Sequence, residues 1–145
     1  MKVRKRIAWM SCVFLLSFTL LTGCGSKALA EGFNEDTIIE TAEQILNEIH
    51  VNGVADTLPG WLRENYTYEN SEEYPVEEMD GQVRSLLSDK GELVGYTQES
   101  VIGKKSPDGT EDFGVILVTA TYDNGEINFT LTFDKDMKLV SFYAK

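Results

Sequence analysis

The side chains able to do chemistry are few in this sequence, and they are scattered. His50 is the single histidine. It falls one residue past an apolar stripe, near the end of a helical segment, where the helix dipole favours a protonated imidazole. No second histidine stands ready to share a metal ion with it. Acids gather at Glu72, Glu73, Glu77, Glu78 and Asp80, where the positive end of another helix suits them. They lack the spaced oxygen-ligand pattern of a dedicated calcium loop, and Asp134 and Asp136 read as a hydrated turn. Neither group implies a metal or a cofactor. Trp61, Tyr66, Tyr68 and Tyr74 form the one aromatic cluster. They either line the mouth of a pocket and stack on a ligand, or close the core with their hydroxyls in water. No nucleophile elbow, phosphate loop or paired-histidine motif is present.

The elements that would position these residues follow from periodicity. Ile38, Ala42, Ile45, Leu46 and Ile49 recur at three- and four-residue spacing, predicting a helix from about Asp36 to Asn52. Asn34 or Asp36 caps it and Gly53 stops it. A shorter helical piece over Ala55–Tyr66 is broken or begun at Pro59-Gly60. A third helix runs from Pro75 to about Asp89, with Gly91 ending it. From Glu92 the period changes to two. Leu93–Lys105, Phe113–Tyr122, Ile127–Phe133 and Leu139–Tyr143 read as four strands, the second being the most apolar and therefore central. Asn124-Gly125 predicts a tight hairpin with positive φ at both central positions. Helices followed by strands make an α+β domain: three N-terminal helices packed on a curved four-stranded antiparallel sheet.

The N-terminus is of a different kind. Lys2, Arg4, Lys5 and Arg6 precede 16 uncharged, mostly apolar residues, Ile7 to Thr22. That is the layout of a secretory signal, and it falls short of the roughly 20 residues a spanning helix needs. Leu21-Thr22-Gly23-Cys24 resembles the lipobox of bacterial lipoproteins at all four positions. The resemblance implies cleavage before Cys24 and lipid on its sulfur, placing the protein at the extracytoplasmic face of a cell membrane. Acyl chains contribute about 0.8 kcal/mol per buried methylene, so two or three of them anchor stably. Residues 1–23 are then signal peptide, 24–35 a lipidated cysteine and flexible tether, and 36–145 the α+β domain. With Cys12 removed and Cys24 lipidated, the domain has no disulfide. Loss of the four basic signal residues takes the formal charge of −11 to −15. Such a chain repels nucleic acid and anionic headgroups, and should stand off the membrane rather than lie on it.

The run Tyr122-Asp123-Asn124-Gly125-Glu126-Ile127-Asn128-Phe129, then Leu131-Thr132-Phe133-Asp134, Lys138-Leu139 and Phe142-Tyr143, resembles domain-of-unknown-function family 3887. The opening helix Ile38–Ile49 fits as well, so the likeness covers roughly residues 36–145. Where the family pattern calls for glycine in the last turn, this chain has Met137. The resemblance implies exported proteins of Gram-positive bacteria and the cone-shaped fold of the nuclear-transport-factor-2-like superfamily. It brings no activity with it. Some enzymes of that fold abstract protons beside a carbonyl with a carboxylate of raised pKa. Glu99, the exceptional acid inside a strand, with Tyr66 or Tyr96 as oxyanion donor, is the version this sequence allows. The expectation that follows is a non-enzymatic domain binding an unknown small molecule or envelope protein. A proton-transfer enzyme is the alternative.

Overall fold

The computed structural model describes residues 28–64 and 75–145. Helix α1 spans Glu35–Asn52. Its start is fixed by Asn34, whose side-chain oxygen accepts from the Thr37 amide at 2.9 Å. Ile38, Ala42, Ile45, Leu46 and Ile49 are all buried, as their spacing requires. Gly53, at φ 87°, ends the helix and donates to the Ile49 carbonyl at 2.8 Å. Helix α2 follows at once over Val54–Trp61. It passes through Pro59 and stops at Trp61, short of the Tyr66 end that the pattern implied. Leu62 turns extended there and pairs in parallel with Leu139. Helix α3 spans Val76–Leu87, with Pro75 at its N-cap.

The four strands are β1 (Leu93–Lys105), β2 (Asp112–Tyr122), β3 (Gly125–Phe133) and β4 (Leu139–Ala144), in the order β1-β2-β3-β4. Every neighbouring pair is antiparallel, and register shifts at both ends of the sheet bend it. The β2–β3 hairpin differs from expectation. Tyr122 pairs with Gly125, so Asp123 and Asn124 are the central residues, and positive φ falls on Gly125 alone. The β3–β4 turn places Met137 at φ 59°, the left-handed conformation for which glycine is the usual occupant. Asp134 Oδ1 holds that turn by accepting from the amides of Asp136 and Lys138, both at 2.9 Å. Asp134 is therefore buried and is not a hydrated turn residue as expected.

The α1 stripe packs against Ile116, Val118, Phe129, Leu131, Phe133 and Phe142, filling the space between the helices and the sheet. The packed unit begins earlier than the expected boundary at Asp36. Leu29 and Phe33, in the stretch read as tether, lie against the core. They reach it because Gly103 and Gly114 are paired on β1 and β2. A Cβ on Gly103 would collide with the Ala28 carbonyl oxygen, and one on Gly114 would come within 2.7 Å of Ile38 Cδ1. Two absent side chains thus make the channel in which residues 28–33 cross the sheet end.

Candidate functional site

Beside its apolar stripe, α1 carries a second line of side chains at helical spacing: Glu43, Asn47 and His50. Each meets a partner from the sheet, and the three rungs together make a polar seam between α1 and β1–β2. In the middle rung, Tyr96 donates its hydroxyl to Asn47 Oδ1 at 2.7 Å. In the last, His50 Nδ1 lies 2.5 Å from the Leu46 carbonyl and Nε2 lies 2.6 Å from the Tyr122 hydroxyl. A carbonyl only accepts, so Nδ1 carries a proton and donates it to Leu46; in the neutral ring Nε2 then accepts from the Tyr122 hydroxyl. The imidazole is neutral in this arrangement. Burial pulls its pKa below the ordinary value, outweighing the opposing Leu46 bond. Half-burial among Leu46, Tyr122 and Phe129 thus works against the imidazolium that the helix end would favour.

The first rung is a pair of carboxyl groups. Glu99 on β1 faces Glu43 on α1. Burial, followed by the hydrogen bond and the charge of Glu43, pushes the Glu99 pKa up to about 7. Glu99 Oε1 is buried with no donor in reach. Two carboxylates cannot hydrogen-bond each other, so the pair holds together only while one of them carries a proton. The neighbouring Tyr96 hydroxyl is pushed up to about 12, by burial first and then by Glu43 and Glu99. Tyr122 is raised too, chiefly by burial. The seam thus sets a carboxyl and two phenols of raised pKa beside an imidazole of lowered pKa.

On the outer side of the same helix lies a shallow groove of about 520 Å³, lined by Glu40, Glu43, Gln44, Asn47, Glu48, Val51 and Asn52. Glu43 and Asn47 belong both to the groove and to the seam, so Glu99 sits one carboxyl deeper than the groove wall. Val51 is 82% exposed and supplies its apolar portion. Trp61, the described member of the aromatic cluster, is half-buried against the core and donates its indole N–H to Glu48 Oε2 at 3.0 Å. It fixes a groove carboxylate and does not itself line the groove. Tyr66, Tyr68 and Tyr74 lie outside the described residues, as do Cys24, Glu72 and Glu73.

The acids at the start of α3 divide. Glu77 and Glu78 occupy its first turn and are exposed. Asp80 instead turns inward: Oδ1 accepts from the Ala55 amide at 3.1 Å and Oδ2 pairs with Arg84 Nε at 2.6 Å. It caps α2 from α3, and the Arg84 bond followed by the Ala55 amide lowers its pKa. Among the described residues, no three histidine, cysteine or acidic side chains converge on a metal-sized space. Sequence reasoning missed Glu43, Asn47 and Tyr122. The 43/47/50 spacing alongside the apolar stripe was the available signal.

The profile of a family described as a protein of unknown function, DUF3887, matches residues 62–142, more than half of the chain. The chain belongs to the DUF3887 family. The matched DUF3887 region takes in α3 and nearly all of the sheet, while α1, with its half of the seam and the groove, precedes it. An NMR structure of a protein from Ruminococcus gnavus ATCC 29149 is similar in fold, with a TM-score of 0.63 at 21% identity. The match covers 81% of this chain and 96% of that one. No curated protein matches the sequence.

Proposed function

We propose that this chain is an exported lipoprotein, cut before Cys24 and held by lipid at the outer face of a Gram-positive cell membrane, whose domain is a non-enzymatic binding module. The basic start, the apolar stretch and Leu21-Thr22-Gly23-Cys24 support the first half of that reading. No helix among the described residues is long and apolar enough to cross a membrane. A nuclear-transport-factor-2-like cone suits a domain whose long first helix lies against an antiparallel sheet, and we read the fold as a small version of it.

The observation that carries the binding reading is the α1 groove. Among the described residues, the side chains of helices and sheet pack into one core, and the groove lies on the outside of α1. There Glu40, Glu43 and Glu48 stand around Gln44, Asn47 and the exposed Val51. Carboxylates flanking amides and one apolar side chain suit a cationic group carried on a short apolar stem, on a small molecule or on an envelope protein. Native mass spectrometry of the mature chain with Cys24→Ser, secreted from a Gram-positive host, tests this. An added mass that disappears in the Glu40→Gln, Glu48→Gln double variant supports the groove. A bound mass indifferent to both substitutions excludes it.

One observation favours the proton-transfer alternative: Glu99, with a pKa near 7, stands beside the Tyr96 hydroxyl. Deuterium incorporation from heavy water into a carbonyl compound, abolished by Glu99→Gln, is the result that reading requires.

A further inference from the structure

Ala28 is the first described residue, and Gly25, Ser26 and Lys27 lie between it and Cys24. Four residue steps reach at most about 14 Å in any conformation. Ala28 itself lies against Gly103, near the end of β1 that leads into the Ser106–Thr110 turn. Gly103 pairs with Gly114, and Gly114 with Phe133, so the Asp134–Lys138 turn sits at this same end. The opposite end holds the Asp123–Asn124 turn, next to the Leu93–Tyr122 pair. Ten residues of β1 separate the two ends, which at about 3.3 Å per residue is roughly 33 Å.

Charge is divided between the ends. Lys104, Lys105, Lys135 and Lys138 are exposed at the Gly103 end, with Lys105 paired to Asp112 at 2.8 Å. Glu31, Glu35, Asp36, Asp108, Glu111, Asp112, Asp134 and Asp136 share that end, so it stays acidic in spite of the lysines. The other end and the outer face of α1 carry Glu40, Glu48, Asp89, Glu92, Asp123 and Glu126, with Lys90 and Lys145 as nearby cations.

We infer that the lipid on Cys24 holds this domain end-on, with the Ser106–Thr110 and Asp134–Lys138 turns at the anionic bilayer surface and the Asp123–Asn124 turn roughly 33 Å beyond Gly103. The inference rests on the lipoprotein reading above. It deepens that reading: the short spacer and the docking of Leu29 and Phe33 turn an anchor into an orientation. The C-terminal half of the α1 groove then faces away from the membrane, because α1 runs from Ile38 beside Gly114 to His50 beside Tyr122.

The mature chain has no cysteine other than Cys24, so one introduced thiol takes a fluorophore uniquely. The lipidated full chain, with Pro107→Cys or Glu126→Cys, is reconstituted into phosphatidylglycerol-containing vesicles bearing a nitroxide on the headgroup. Loss of emission at position 107 and none at 126 is the result expected. Lys104→Cys reports the same end if the Pro107 variant does not fold. Equal quenching at both positions, or stronger quenching at 126, overturns the orientation while leaving the anchor intact. Protein that stays in solution, with no lipid mass on Cys24, removes the lipoprotein reading and the orientation with it.

Discussion

Replacing Glu99 by glutamine should stabilise the protein at alkaline pH, although it removes a charge from a partly buried site. The folded pair keeps a proton that the unfolded chain has released, because the Glu99 pKa is raised from 4.5 to about 7. Folding is therefore favoured by this group below pH 4.5, and the contribution is lost as the pH rises to about 7, after which it levels off. A full displacement of that size would be worth at most ~3.4 kcal/mol, at 1.36 kcal/mol per tenfold change in proton affinity. The pair is partly open to solvent, and screening reduces this to about 1 kcal/mol. In Glu99→Gln the amide N–H replaces the shared proton and donates to Glu43 at every pH. Urea unfolding followed by Trp61, the only tryptophan after Cys24, measures both chains from pH 4.5 to 8.5. The wild type should lose about 1 kcal/mol relative to the variant across that range. His50 contributes with opposite sign, its lowered pKa costing stability as the pH falls below about 6.5, but it is common to both chains and cancels. Parallel curves for the two proteins, or a variant less stable than wild type at pH 8, would refute the shared proton.

Three further substitutions probe other contacts. Tyr122→Phe removes the donor to His50 Nε2 and should cost about 1 kcal/mol; the imidazole titration followed by NMR should move upward, since the neutral form loses its partner. A downward or absent shift would contradict the assigned tautomer. Asp134→Ala strips the acceptor from two turn amides and should cost about 2 kcal/mol in urea unfolding, a loss that Asp136→Ala should not reproduce. Gly103→Ala should displace residues 28–33, so that the Phe33 amide, which donates to the Ala30 carbonyl, exchanges hydrogen faster while the α1 core amides do not. Unchanged protection at Phe33 would show that the segment is not held by the Gly103 channel.

The elements were legible because each has its own period. The 38/42/45/46/49 stripe defines α1, and the alternation from Ile127 to Phe133 defines β3 to within two residues. Turn geometry was less so. Asn124-Gly125 carries a strong local preference, yet the pairing of Tyr122 with Gly125 moved the central positions back by one. Met137 adopts a conformation that its residue type disfavours, because the Asp134 bonds and burial of its side chain hold it there. The seam was half visible. Glu99 stood out as an acid inside a strand, but its partner Glu43 lies 56 residues away in sequence, and only the packing of α1 across β1 brings them together. The surroundings of His50 were hidden for the same reason, since Tyr122, which partners its Nε2, is 72 residues distant.

On the export reading proposed above, the sheet's simple order bears on how the protein would be delivered. β1 to β4 pair in succession, so each hairpin closes locally, whereas α1 finds its partners on strands made last. A chain threaded through an export channel from its N-terminus emerges with the Ile38–Ile49 stripe bare, and Phe129, Phe133 and Phe142 arrive only at the end. The hydrophobic core cannot close until nearly the whole polypeptide has crossed. Such a passage would itself keep the chain unfolded, as a secretion pore requires. The same delay would leave the apolar stripe of α1 bare beside the bilayer until β4 completes the sheet over it.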